Sequence, residues 1–482
     1  MNAKATCPPV GLGYIAGVLI KAGHEVSIME INAHRYTCEQ VVRMLRNYRP
    51  CPDIIGIGGI VSTYKYVKWL TKEIKEIYPH IPLVVGGSVG SSIPDLILKY
   101  SSADLVVDKE GELTMLEIAG EMEKGNRDLR KVAGVFYRNG DGQRIVHSGV
   151  RERIKDLDSL PFPAYHLLPM EIYINNICED PFYKKTLEVS GENRHMMLIT
   201  SRGCTDKCTF CFRQFPKIAM NSASYVSEHI LHLHSRYGVN RFTFMDELFI
   251  ISRRRAIKLI DALKKLNRSI NLLYRIASAR ADTVDMELLK GLKDSGCVSI
   301  VYGLESGSDR MLSSMKKRTT AEQNYKAVSL THQAGLHTIP QFVVGLPGES
   351  ETTLKETLRF ADSIDFWEGV GFHYANPYPG TEIYEDAKKR GLIDNEDAFV
   401  EGLAGTDKYP LQLGEISFAE MKHLLRNFTI LHVIRKNIRG NGYFFGICKT
   451  IVYFSVKIIS ELIKKLLECC SRCVHLGNVG QQ

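Results

Sequence analysis

Three cysteines, Cys204, Cys208 and Cys211, lie at C-x3-C-x2-C spacing in the run Thr200-Ser-Arg-Gly-Cys-Thr-Asp-Lys-Cys-Thr-Phe-Cys211. Three thiolates on one short loop can hold three corners of a cubane iron–sulfur cluster. The fourth iron is then open to a ligand other than cysteine, and a cluster held this way can do chemistry rather than only carry electrons. A zinc knuckle is the other chemistry the spacing allows, and it needs a fourth ligand close by. The nearest upstream histidine is His195, and no Cys or His follows until His229. The spacing favours a cluster over zinc or free thiols.

Such a loop must be carried by a rigid element. The apolar run Met196-Met-Leu-Ile-Thr200 just before it reads as a strand. Five more candidates follow at Arg241–Phe244, Asn271–Arg275, Ser299–Tyr302, Gln341–Val344 and Gly371–Tyr374. Six consecutive strand–helix units predict a full or partial (β/α) TIM-type barrel over residues 195–400. Upstream, Glu25–Glu30, Asp53–Ile57, Leu83–Val85 and Asp104–Asp108 read as buried parallel strands, with a helix over Tyr66–Tyr78. That order predicts an open, doubly wound, Rossmann-like sheet over residues 1–150, with its ligand at the carboxyl ends of the strands. The proline-bearing stretch Asp156–Ala164 suggests a linker over 151–194, and residues 401–482 read as a helical extension.

With 44% apolar and 24% charged residues, the chain has ordinary globular composition. Its 12 cysteines form no secreted disulfide framework, which points to a reducing, cytoplasmic setting. No signal peptide and no long uncharged apolar run are visible. The net charge of +8 is concentrated at the end of the chain, where residues 417–482 carry ten Lys/Arg against three Glu. The body is therefore nearly neutral, and no nucleic-acid partner is expected.

Together these features resemble the cobalamin-binding radical SAM family over residues 8–390. The barrel half carries the likeness in the cysteine loop with Phe210 before its last cysteine, and in Phe244-Met-Asp-Glu-Leu-Phe249 and Ala279-Arg-Ala-Asp282. Gly303-Leu-Glu-Ser-Gly-Ser308, Val344-Gly-Leu-Pro-Gly-Glu349 and Asn376-Pro-Tyr-Pro-Gly-Thr381 continue it. The N-terminal half carries it in Pro8-Pro-Val-Gly-Leu-Gly-Tyr14, Gly86-Gly87 and Glu110-Gly-Glu112.

The resemblance implies a [4Fe-4S] cluster on Cys204, Cys208 and Cys211, with S-adenosylmethionine on the open iron. It implies that Asp246 and Glu247 accept hydrogen bonds from the methionyl ammonium. As plain sequence, these two acids could equally be a helix N-cap. Arg280 could pair with the methionyl carboxylate or make a surface ion pair. Glu305, followed by Ser306, is placed to meet the ribose diol. Gly345 would let backbone approach adenine, or form a simple turn. For cobalamin, Ser62, Thr63, Gly86, Gly87, Glu110 and Glu112 are the candidates at the strand ends. No Asp-x-His-x-x-Gly sequence occurs, so a cobalamin bound here is expected to lack a histidine on its lower face.

Two departures stand out. The Pro-Pro motif begins at Pro8, so the strand that precedes it in relatives is expected to be missing from the middle of the sheet. Lys109 stands where relatives usually have glycine before Glu-Gly-Glu. Beyond the barrel, residues 443–468 show helical amphipathicity, which suits packing on the domain or peripheral contact with an anionic membrane. Cys469, Cys470 and Cys473 lie too close to the chain end for a convincing second cluster.

The expected activity is reductive cleavage of S-adenosylmethionine to a 5′-deoxyadenosyl radical, followed by cobalamin-dependent methylation of an unactivated carbon. A radical oxidative cyclase or rearrangement enzyme is one alternative, and a non-catalytic corrinoid- or cluster-binding sensor another. The expected partners are a small-molecule or natural-product substrate and an electron donor of flavodoxin or ferredoxin type. Tyr374, Asn376 and Tyr378 are expected near the barrel mouth.

Overall fold

The computed structural model describes residues 5–441 apart from 127, 141, 143, 180, 189–191, 365–370 and 404–410. The amphipathic tail at 443–468 and Cys469, Cys470 and Cys473 lie outside the described residues.

The N-terminal half is built on a five-stranded sheet in the order β1 (Ile55–Gly58), β2 (Leu83–Gly86), β3 (Leu105–Val107), β4 (Val135–Arg138) and β5 (Ile145–His147). The first three strands run parallel, and β4 and β5 return antiparallel. Strand alternation sends neighbouring apolar residues to opposite faces. Val85 and Val106 pack with Tyr64, Val67 and Ile97 on one side. Val84, Leu105 and Val107 pack with Ile118 and Val135 on the other.

Glu25–Glu30 is not a strand, contrary to the expectation from its composition. β1 is the sheet edge among the described residues, and the segment forms no ladder with it. With no ladder partner, the segment is held by side chains instead. Met29 packs with Ile55, Ile57 and Leu83, and Glu30 caps the short helix Ile31–His34.

The second half is an open, wholly parallel six-stranded sheet. In chain order its strands are β6 (Arg194–Leu198), β9 (Val239–Phe244), β10 (Leu273–Ala279), β11 (Cys297–Glu305), β12 (His337–Val344) and β13 (Gly371–Tyr374), each beside its predecessor. A two-stranded hairpin, β7 (Ser201–Arg202) with β8 (Ala219–Met220), interrupts them. Phe242, Phe244, Tyr274, Ile276, Ile300, Tyr302 and Phe342 pack outward beneath the helices. The residues alternating with them, including Thr243, Gly303, Glu305 and Gln341, therefore face the inside of the partial barrel.

The stretch expected to be a linker is packed. Tyr165, Leu168, Met170 and Ile174 belong to the barrel core. Gly13 and Gly17 of the helix Val10–Lys21 make room for the prolines. A Cβ on Gly13 would stand 2.9 Å from Pro163, and one on Gly17 would stand 2.8 Å from the Phe162 carbonyl. Val400 and Leu403, late in the chain, complete the core of the N-terminal domain. The helix Phe418–Asn441 closes the barrel side, with Arg435 paired to Asp362. Among the described residues no helix is long and apolar enough to cross a membrane.

Candidate functional site

The cysteine loop is the connection of the β7–β8 hairpin, raised above the carboxyl end of β6. Gly203 turns the chain into it at φ 95°, and a Cβ there would lie 2.2 Å from the Lys217 carbonyl oxygen. The Cys204 amide donates to the Phe215 carbonyl at 3.3 Å, and the Cys211 amide to the Cys208 carbonyl at 3.2 Å. Thr209 donates its amide to the Met315 carbonyl at 3.1 Å, tying the loop to the far side of the barrel rim.

Burial raises the Cys204 and Cys208 thiols above their ordinary range. Cys211 reaches the loop surface, yet the protein around its thiol pushes it up to about 12, helped by the charges of Cys208 and Cys204. Among the described residues, no three His, Cys, Asp or Glu side chains close to the spacing of ligands on a single metal ion. Three thiols on one short loop suit a cubane, in which each thiolate takes a different iron.

Charged side chains surround the loop. Asp206, between the first two cysteines, is paired with both Arg280 and Arg318, and these guanidinium groups hold it below the usual carboxylate range against its burial. Arg280 is also held by Asp282 at 2.8 Å. Glu305 ends β11 in the left-handed region at φ 63°, and its Oε1 lies 2.8 Å from Lys317 Nζ. A Cβ on Gly303 would meet that oxygen at 2.4 Å and the Lys317 nitrogen at 3.1 Å, so glycine is what admits the pair. The Lys317 charge also acts on the Cys208 thiol. Phe210 packs with Met311, Leu346 and Ala375 below the loop.

The other candidates for S-adenosylmethionine take varied positions. Asp246 is buried and accepts from the Thr200 amide at 3.1 Å, the Thr200 hydroxyl at 2.9 Å and the Ser201 hydroxyl. Its Oδ2 is buried without a partner, and burial raises its pKa. Glu247 is exposed and accepts from the Gly203 amide at 3.1 Å, which leaves a carboxylate at the mouth of the loop. Ser306 turns its hydroxyl into the wall, 2.8 Å from Thr357 Oγ1. Gly345, at φ 85°, donates its amide to Glu349, a buried carboxyl pushed up to about 7. Tyr374 packs outward on Phe418, and Tyr378 joins the core of the N-terminal domain, so neither lines the barrel mouth as expected.

On the N-terminal domain, Ser62 and Thr63 sit in an exposed turn after β1, beside Ile60, which is 59% exposed. This apolar, hydroxyl-bearing shelf at the strand ends fits a corrin ring and its amide side chains. Gly87, at φ 80°, is required by the protein itself, because a Cβ would stand 2.6 Å from the Gly59 carbonyl oxygen. Gly86 meets only an ordinary contact there, 3.8 Å from Val107.

Glu110 and Glu112 point away from the role expected of them. Both are buried and bind Arg202, at 3.0 and 2.5 Å, and Glu110 also accepts from the Ile154 amide at 2.9 Å. Lys109 adopts φ 61°, a conformation glycine takes freely, and its ammonium rests 3.3 Å from Asp108. Arg202, Asp206, Lys317 and Glu349 were not singled out from sequence. Only the Arg-Gly before Cys204 and the Glu after Gly-Leu-Pro-Gly offered a local sign.

Comparison with known proteins agrees with this fold. A B12 binding domain model matches residues 1–119, and a radical SAM superfamily model matches residues 198–361. An uncharacterized methyltransferase of Pyrococcus horikoshii is 31% identical over 392 residues, covering 80% of each chain. The chain belongs to the cobalamin-binding radical SAM family. The cytidylyl-2-hydroxyethylphosphonate methyltransferase of Streptomyces wedmorensis is 27% identical over 437 residues, covering 81% of this chain and 79% of its own. The radical S-adenosylmethionine methyltransferase TsrM from Kitasatospora setae, solved with cobalamin and a [4Fe-4S] cluster, shares the fold at a TM-score of 0.64. That match has 18% identity and covers 80% of this chain and 73% of the other. The chain is thus a radical SAM enzyme with a cobalamin-binding domain, using a [4Fe-4S] cluster and S-adenosylmethionine.

Proposed function

We propose that this radical SAM enzyme methylates an unactivated carbon of a small molecule. The observation that carries this reading is the direct junction of the cysteine loop with the strand-end turn of the cobalamin domain, through Arg202 and Glu110–Glu112. When bound, the cluster, S-adenosylmethionine and cobalamin supply reductive carbon–sulfur cleavage, a carbon-centred radical and a transferable methyl group.

This chain's residues provide the setting. Cys204, Cys208 and Cys211 would hold the cluster. Glu247 is the carboxylate open to the loop and would accept from the methionyl ammonium. Asp246 braces the base of the loop through Thr200 and Ser201. Arg280 would act at the methionyl carboxylate from a position fixed by Asp206 and Asp282. Glu305 would meet the ribose, its rotamer held by Lys317. The Gly345 backbone would flank adenine. Ser62, Thr63, Gly86 and Gly87 would underlie the corrin.

Inside the barrel, Gln341 Oε1 and His373 Nε2 lie 2.5 Å apart on adjoining strands, which offers the substrate hydrogen-bonding groups. A flavodoxin- or ferredoxin-type protein would supply the electron, in a reducing cytoplasm that keeps the cysteines free. Anaerobic reconstitution of the cluster, followed by hydroxocobalamin, S-adenosylmethionine and reductant, tests the reading. Both 5′-deoxyadenosine and S-adenosylhomocysteine are expected. Deoxyadenosine alone would overturn methyl transfer, and neither product would overturn an enzymatic role.

A further inference from the structure

The turn that leaves β3 grips the cysteine loop at both of its ends. Before the loop, Arg202 stands two residues ahead of Cys204. Its guanidinium binds Glu110 at 3.0 Å and Glu112 at 2.5 Å, and lies 5.2 Å above the Tyr14 ring. The side chains are nearly dry, with 16% of Arg202, 7% of Glu110 and 4% of Glu112 exposed. Arg153 adds a second cation, donating to the Arg202 carbonyl at 2.8 Å and to the Lys217 carbonyl across the hairpin. Two arginines and two glutamates therefore balance in charge around the root of the loop.

After the loop, Gln214 stands three residues past Cys211. Its amide donates to the Lys109 carbonyl at 3.1 Å. The Lys109 amide in turn donates to Ser91 Oγ at 2.8 Å, in the helix that follows β2. One short turn, Lys109–Glu112, thus touches residues flanking all three cysteines and also belongs to the strand ends where the corrin shelf lies.

We infer that Arg202 and Gln214 are positioning residues that couple the two cofactor sites, so that cluster assembly and cobalamin binding each tighten the other. The inference rests on the cobalamin-dependent reading but not on methyl transfer. Its physical basis is linkage. Where both cofactors order the same turn, either one lowers the ordering cost for the other, and the coupling is reciprocal by thermodynamic necessity. A buried, hydrogen-bonded charge cluster has few alternative arrangements, which makes the transmission stiff.

The test measures hydroxocobalamin affinity by optical titration of the full chain, cluster-free and reconstituted. Chelator-driven iron release, with and without hydroxocobalamin, gives the reciprocal measurement. Wild type is expected to bind at least about five-fold more tightly with the cluster in place. In Gln214→Ala, which strands no buried charge, the ratio should fall toward one while the cluster still assembles. Arg202→Gln should abolish the ratio if the chain folds. A measurable affinity that is equal in both wild-type forms overturns the coupling and leaves cobalamin dependence standing. A ratio that persists undiminished in Gln214→Ala overturns the assignment of the grip. No binding in either form overturns both readings, and a merely structural role would weaken affinity in both forms while preserving the ratio.

Discussion

Lys317 Nζ lies 2.8 Å from Glu305 Oε1, with only 11% of the lysine side chain and 10% of the glutamate side chain exposed. Glu305 reaches this position from a left-handed backbone, and the glycine at 303 leaves the space that the pair occupies. In a buried pair of this kind each charge offsets part of the desolvation cost of the other. It also fixes one carboxylate at the rim where the cysteine loop meets β11.

Removing the cation should therefore cost more than the pair itself is worth. Lys317→Met leaves Glu305 buried and uncompensated, which costs about 3–5 kcal/mol and lowers the denaturation midpoint accordingly. Lys317→Arg keeps a charge but not the compact ammonium geometry, and should retain part of that loss. If Glu305 serves the ribose, Lys317→Arg should also raise the KM for S-adenosylmethionine, assayed through 5′-deoxyadenosine release. A Met variant as stable as wild type would show that the pair is not closed in solution.

Glu349 gives stability a downward slope with pH. Its carboxyl is pushed from 4.5 to about 7 by burial, against the amides of Gly345 and Leu346. Between those values the unfolded chain has released the proton that the folded chain keeps. This contribution to stability is thus full below pH 4.5 and declines as pH rises through 7, by about 3 kcal/mol in total. Glu349→Gln keeps an acceptor for the amides and removes the titration. The gap between variant and wild-type urea midpoints should therefore shift in favour of the variant on going from pH 5 to pH 7.5. An unchanged pH slope in the variant would exclude Glu349 as its source.

Much of the barrel was legible because its information is local. Short apolar runs mark the strands, and the spacing of Cys204, Cys208 and Cys211 marks the loop. The rest depended on distant partners. Glu25–Glu30 has a strand's composition, but a ladder needs a neighbour. Asp156–Ala164 has a linker's prolines, but Gly13 and Gly17 of another segment allow it to pack. Glu110 and Glu112 looked available to a cofactor until Arg202, some ninety positions away, occupied them. Lys317 is buried between the exposed Lys316 and Arg318, which is invisible without the fold.

Two buried histidines oppose the slope set by Glu349. His195 bonds Thr243 at 2.8 Å, and His229 bonds Tyr165 at 3.0 Å while stacking on Phe162. Burial pushes each from 6.5 to about 3. Below pH 6.5 the unfolded chain takes up protons that the folded chain refuses. The stability they confer is present above that pH and is lost as pH falls toward 3, on the order of 3–5 kcal/mol for each ring. His229→Phe retains a ring against Phe162 and removes the proton site. Its acid-unfolding midpoint should move to lower pH, even if its stability at pH 7 drops from loss of the Tyr165 bond. A midpoint that stays put would assign acid unfolding to other groups.

Gly203 is the position where the smallest change should do the most specific damage. A Cβ there would lie 2.2 Å from the Lys217 carbonyl oxygen and 2.9 Å from that of Phe215. Both obstacles are backbone, so neither can swing aside as a side chain would. The φ of 95° adds strain for any L side chain. Gly203→Ala must therefore open the β7–β8 hairpin, and with it the bond that the Cys204 amide makes to Phe215. The three atoms nearest the new methyl all belong to the loop itself, so the barrel should keep its core. The expected result is a folded chain with near-normal far-ultraviolet circular dichroism but less than about a tenth of the wild-type cluster content, as a misplaced first ligand costs the site well over 1.4 kcal/mol. Gly11→Ala, where no atom lies within 4 Å of the added carbon, is the matched control and should load iron normally. Equal iron and sulfide content in the two variants would mean that the hairpin tolerates opening and that Cys204 is positioned by other contacts.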